Sequence, residues 1–159
     1  MRPGVRLGID VGQRRVGVAR TDSTGTLAIP LETIASSTEE TDWSGVAALI
    51  RRLVDEYEAI EVVVGLPLSL SGSDTQSTRD ARAFAQFHQP NVDSVPVRLI
   101  DERLSTVSAH QNLREAGVAG RKQRNVIDQQ AAVVILEHAL DIERRSGLPA
   151  GRAVSDSAQ

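Results

Sequence analysis

Cysteine is absent from the 159 residues. That removes disulfides, thiolate nucleophiles and zinc–thiolate sites together, and it suits a reducing compartment. Aromatic side chains are scarce: Trp43, Tyr57, Phe84 and Phe87 make up the whole set. At least Trp43, Tyr57 and Phe84 fall on apolar stripes of helical patterns, so a base-stacking platform is not expected. No apolar run approaches the ~20 residues of a membrane span, and Met1-Arg2-Pro3-Gly4 lacks the apolar stretch of a signal peptide. The expectation is a cytoplasmic chain with no membrane partner. A global excess of positive charge is missing too. The 18 basic and 21 acidic residues give a net charge of −3, so an anionic partner must be held by local clusters. Lysine is nearly absent, with Lys122 alone against an otherwise all-arginine basic set. Arginine is the better fork for phosphate, although codon bias also produces such a skew.

What is present describes a globular domain. Hydrophobic residues make up 40% and charged residues 25%, close to the average for a packed fold, and the length suits one domain. Three apolar runs read as strands: Val5–Ile9 with Asp10 at its exit, Glu61–Leu66, and Val97–Ile100 with Asp101 at its exit. Long helical patterns precede the second and third, which implies parallel strands joined by crossovers. Two further candidates, Val16–Arg20 and Thr26–Ile29, flank the turn signal Asp22-Ser23-Thr24-Gly25.

Trp43, Val46, Ala47, Ile50, Leu53, Val54 and Tyr57 make a continuous helical stripe, with Thr41 or Asp42 as its cap. A second helix is expected over about Thr75–Gln89. A third spans Thr106–Ala116, capped by Ser105 and ended by Gly117. The last runs from about Arg121 to Arg145 and stops at Gly147 and Pro149. Together these give a single α/β domain over 1–145: a mixed five-stranded sheet, a β-meander plus two parallel crossover strands, flanked by helices. Residues 146–159, rich in Gly, Pro, Ala and Ser, read as a disordered tail.

The carboxylates carry the chemical information. In an open α/β sheet the functional crevice lies outside the carboxyl ends of the parallel strands. Asp10 and the pair Asp101-Glu102 stand there. Asp128 shares a helical stripe with Ala131, Ala132, Ile135, Ala139 and Ile142, which turns it towards the sheet. A carboxylate on such a face must be paired, hydrogen-bonded or metal-bound. For Asp128 the plain alternative is an ion pair with Arg124, one turn earlier. For Asp10 it is a turn role before Gly12, and for Asp101-Glu102 a cap or salt bridge. Oxygen-only carboxylate clusters suit Mg²⁺ or Mn²⁺, and two such ions about 4 Å apart can drive phosphodiester cleavage.

Gly8-Ile9-Asp10-Val11-Gly12 with Val16-Gly17-Val18-Ala19, Val64-Gly65-Leu66-Pro67-Leu68, Asp101-Glu102-Arg103-Leu104-Ser105-Thr106 and Val126-Ile127-Asp128 together resemble the YqgF/RuvX family from about Arg6 to Leu140. The first motif alone is shared with sugar kinases and Hsp70-type ATPases; the others are more specific. The resemblance implies an RNase H-like fold and a divalent-metal nuclease. It further implies processing of the 5′ end of precursor 16S rRNA, with Holliday-junction resolution as the alternative. By the same resemblance Asp10 is the first-strand acid and Asp128 the helix acid. The third ligand is Asp101 or Glu102, and since neighbours on a strand alternate faces, one of the two is expected to be direct.

Arg14 and Arg15 in the first hairpin, Arg103 beside the acids, and Arg121, Lys122 and Arg124 opening the last helix are the candidate nucleic-acid contacts. Solvated surface charge is the alternative for each. The loop Pro67–Asp74 could also approach substrate, and His110 reads as packing or surface. The expected function is a Mg²⁺- or Mn²⁺-dependent endonuclease on structured nucleic acid. Its rivals are an ATP-binding phosphotransferase, which needs two such domains, and a catalytically silent binder of nucleic acid or assembling ribosomes. Resolution of a two-fold junction would call for a homodimer.

Overall fold

Arg6–Val11 (β1), Arg15–Thr21 (β2) and Ala28–Ala35 (β3) form an antiparallel meander, and Glu61–Leu66 (β4) and Val97–Asp101 (β5) extend it in parallel from β1. The computed structural model describes residues 1–35, 43–92, 94–102 and 121–154, with backbone alone for 121–125. Helices α1 (Ser44–Tyr57), α2 (Gln76–His88) and α3 (Arg121–Ser146) complete the described domain. The expected third helix at 106–116, with Ser105, His110 and Arg103, lies outside the described residues.

The strand pattern decides which face each side chain serves. Leu7, Ile9, Val16, Val18, Val62, Val64, Val97 and Leu99 point to one side and pack with Ile50, Leu53, Phe84 and Ala85 of α1 and α2. Their neighbours Ala19, Val63 and Ile100 point to the other side and meet Ala132, Ile135, Leu136 and Ala139 of α3. A sheet covered on both faces explains why β4 reads as unbroken valine rather than as an alternating strand.

Among the described residues the sheet has six strands and not the expected five; with Arg152–Ala153 as β6, the order is β3-β2-β1-β4-β5-β6. Arg152–Ala153 (β6) pairs antiparallel with β5, Leu99 against Arg152 and Arg98 against Ala153. The segment expected to begin a disordered tail at Ser146 is therefore built into the domain as far as Val154. Ala150 and Val154 are buried, and the Arg98 guanidinium donates to the carbonyls of Ala150 (2.6 Å) and Gly151 (2.8 Å). A two-residue strand carries no periodicity, so composition alone misreads it. Residues 155–159 lie outside the described residues.

Local signals held elsewhere. Asp22 closes the β2–β3 turn by accepting from the amides of Thr26 (2.8 Å) and Leu27 (3.1 Å). The hydroxyl of Thr24 also donates to it, and these bonds hold its carboxyl down at about 2. Thr75 caps α2 through a reciprocal bond with Thr78. The cap position of α1 is Trp43, without a side-chain hydrogen bond; the expected caps Thr41 and Asp42 lie outside the described residues. At the edge of the sheet remote from the strand exits, Arg6 is 1% exposed and donates to Glu143 at 2.8 Å, while Arg2 bonds both Glu143 and Glu61. This buried network ties the N-terminal segment, β1, β4 and α3 together.

Candidate functional site

β1, β5 and α3 bring three acids to the same end of the sheet. Asp10 lies in β1 on the face that carries Gly8, towards α3. Its antiparallel partner is Gly17. A side chain on Gly17 would drive into the backbone of Asp128, its Cβ only 3.0 Å from the Asp128 Cβ. The bare backbone at Gly17 is what lets α3 settle against β2 and set Asp128 beside Asp10.

The third acid is resolved by strand alternation. Glu102 follows β5 with the parity of Ile100, which packs against α3, so it turns to the face of Asp10. Asp101 has the parity of Leu99 and turns to the α1/α2 face. Glu102 is 4% exposed with its Oε2 fully enclosed. Its amide donates to the carbonyl of Leu66 at 3.3 Å. The enclosing space comes from β4: a Cβ on Gly65 would collide with the Glu102 carboxylate, its carboxyl carbon lying 3.0 Å away. Of the sequence candidates, Asp10, Glu102 and Asp128 are brought together, and Asp101 is not.

Electrostatics report the same grouping. Burial, followed by the charges of Glu102 and Asp128, pushes the Asp10 carboxyl up to about 8. A buried carboxyl raised by neighbouring carboxylates is suited to a cation, which removes the repulsion. The donor set is all oxygen, as hard divalent ions require. Among the described residues, however, no three His, Cys, Asp or Glu side chains already close on a single ion-holding point. The cation beside Asp128 is instead Arg15, whose Nε donates to Oδ2 at 2.7 Å. The side chain of Arg124, the partner expected one turn earlier, lies outside the described residues. No periodicity in one element could reveal the Arg15–Asp128 pair, because its members are 113 residues apart.

Gly12, Gln13, Arg14, Arg15 and Asp128 line an open cavity of about 400 Å³. Arg14 is exposed. The backbone of Arg121, Lys122 and Arg124 opens α3, two turns or less before Asp128. The Pro67–Asp74 loop is a tight hairpin at the exit of β4. Leu68 bridges Asp74, Ser69 and Ser73 exchange bonds, and Arg82 pairs with Asp74.

Comparison with known proteins places the chain in a family. The family model described as RuvX, Holliday junction resolvase, matches residues 4–142. The chain belongs to the RuvX family. Curated relatives carry the name "Putative pre-16S rRNA nuclease". One, from Leifsonia xyli subsp. xyli, is 51% identical over 97% of this chain and 96% of its own. Another, from Thermobifida fusca, is 50% identical over 97% of this chain and 98% of its own. Among solved structures, Thermus thermophilus RuvC in complex with Holliday junction substrate has a TM-score of 0.58. It covers 94% of this chain and 99% of that one at 16% identity. That likeness establishes the RNase H-like α/β fold. As a RuvX-family member the chain is a nuclease, a hydrolase acting on phosphodiester bonds in structured nucleic acid. None of its described helices is long and apolar enough to cross a membrane.

Proposed function

We propose that this RuvX-family chain is a divalent-metal-dependent endonuclease that processes the 5′ end of precursor 16S rRNA in the bacterial cytoplasm, with Asp10, Glu102 and Asp128 holding Mg²⁺ or Mn²⁺. One observation carries the site: three acids from β1, the end of β5 and α3 are grouped, and burial together with the charges of the other two pushes Asp10 up to about 8. Curated relatives at about half identity support the RNA substrate through their shared name. When bound, the ions would supply an activated water and a counter-charge for the leaving oxygen.

The chain's own residues have separable tasks in this reading. Glu102, buried against β4 and α3, and Asp10, half-buried in β1, present carboxylate oxygens from strand ends, which fixes their geometry better than a loop would. Asp128 faces them from the helix. Asp101, on the other face, stays out of the reaction. Arg14, Arg15, Arg103, Arg121, Lys122 and Arg124 hold flanking phosphates. Such contacts give salt-dependent affinity with little sequence readout. The shortage of aromatics makes backbone shape the recognised feature.

A second reading, resolution of a four-way DNA junction, is favoured by the family description and by the RuvC fold. It requires a homodimer presenting two sites to a two-fold junction. Parallel cleavage of a precursor 16S 5′ leader and a four-way DNA junction, each with Mg²⁺ or Mn²⁺, separates the two. Preference for the leader supports RNA processing, and symmetric nicking of the junction alone overturns it. Binding of both without cleavage would identify a silent assembly factor.

A further inference from the structure

Among the arginines that bond acids in this fold, Arg6 and Arg15 do so very differently. Arg6 is 1% exposed and gives its guanidinium to Glu143 and to the carbonyls of Arg2 and Gly4. Removing such a group would strand buried charge. The Arg15 side chain is 31% exposed, that of Asp128 is 17% exposed, and a single bond through Nε joins them. Nη1 and Nη2 of Arg15 have no hydrogen-bond partner among the described residues. A pair held by one bond and reached by solvent exchanges more cheaply than the buried Arg6 network. It also faces the cavity lined by Gly12, Gln13, Arg14 and Asp128, and a guanidinium fork matches a phosphate well.

We propose that Arg15 is an exchangeable counter-charge: it neutralises Asp128 while the divalent ion is absent, and on metal binding it leaves Asp128 and turns its fork to a substrate phosphate. The inference rests on the metal-nuclease reading of the three acids. It makes metal and nucleic acid bind cooperatively, because each favours the state in which Arg15 has left Asp128, and such coupling is reciprocal. A fixed structural pair would give neither effect. Arg15 is therefore a positioning residue for Asp128 and a phosphate contact, in alternation.

The test uses the full chain and the ions themselves. Mn²⁺ binding is measured by electron paramagnetic resonance for the wild type, Arg15→Gln and Arg15→Lys. Arg15→Gln should bind Mn²⁺ roughly two- to fivefold tighter, the equivalent of losing a partly exposed competing pair, with Arg15→Lys between it and wild type. In the wild type, the Arg15 Nε–H resonance, assigned by its loss in Arg15→Gln, should shift on Mg²⁺ addition together with the backbone amide of Asp10. Half-saturation of single-turnover leader cleavage in Mg²⁺ should rise about tenfold in Arg15→Gln, while leader binding in a chelator should change less than twofold. If the Asp10 amide responds to Mg²⁺ but the Arg15 Nε–H does not, or if Mn²⁺ affinity is unchanged or weaker in Arg15→Gln, the exchange is wrong and the metal site stands. If neither signal responds and the wild type binds no Mn²⁺, the metal reading fails and the exchange fails with it.

Discussion

Gly65 and Glu102 share one space: the carboxylate after β5 fills the volume that a side chain on β4 would need. Gly65→Ala should therefore displace Glu102 without touching any acid. We expect a loss of about 1–3 kcal/mol in stability from overpacking and a cleavage rate lowered by at least tenfold. Thermal melting and single-turnover assays on the same variant check both. Normal melting with normal cleavage would show that Glu102 has room to move.

Gly17→Ala is the equivalent change on the helix side. The added methyl would meet the backbone of Asp128, which no rotamer can relieve. α3 should shift off β2, the melting temperature should fall, and nuclease activity should fall further than stability alone explains. Cleavage measured well below the melting transition separates the two effects.

The raised Asp10 carboxyl makes a signed prediction in metal-free protein. Its folded value, about 8, lies above its unfolded value near 4. The folded state therefore binds the extra proton between these limits. Stability from this group is complete below pH 4 and is lost as pH rises towards 8. Asp10→Asn removes the dependence, so the variant should melt above wild type at pH 8 in a chelator and gain no such advantage at pH 4. Melting curves across this range, with and without Mg²⁺, test it: saturating Mg²⁺ should close the gap at pH 8 by restoring the wild type.

Cutting the chain after Arg145 removes β6 and the buried Ala150 and Val154. It also frees the Arg98 guanidinium and exposes the β5 edge. The melting temperature should drop by several degrees, at roughly 2–4 °C for each kcal/mol lost in a domain of this size. An unchanged melting temperature would mean that the segment contributes nothing to stability.

Much of the architecture was legible because its signals are periodic. The valine run of β4, the stripe of α1 and the span of α2 each lie within one element and came out within a residue or so. The alternation rule also narrowed the Asp101-Glu102 choice to one residue, but only the packing of Ile100 against α3 shows which face is which. Relationships between elements stayed hidden. Arg15 reaches Asp128 across the fold, Gly65 clears space for a residue on another strand, and β6 is too short to mark itself in the sequence. Small residues opposite acids, as in Val16-Gly17-Val18 and Val64-Gly65-Leu66, are the one signal that could have pointed to close approach.

The most direct measurement is single-turnover cleavage of the precursor 16S 5′ leader in Mg²⁺ by Glu102→Gln and Asp101→Asn side by side, with Asp10→Asn as the reference. Glu102→Gln should fall to the level of Asp10→Asn, about a hundredfold or more below wild type, while Asp101→Asn keeps most of the rate. Equal rates for Glu102→Gln and wild type, or a collapse with Asp101→Asn instead, would contradict the site built on Asp10, Glu102 and Asp128.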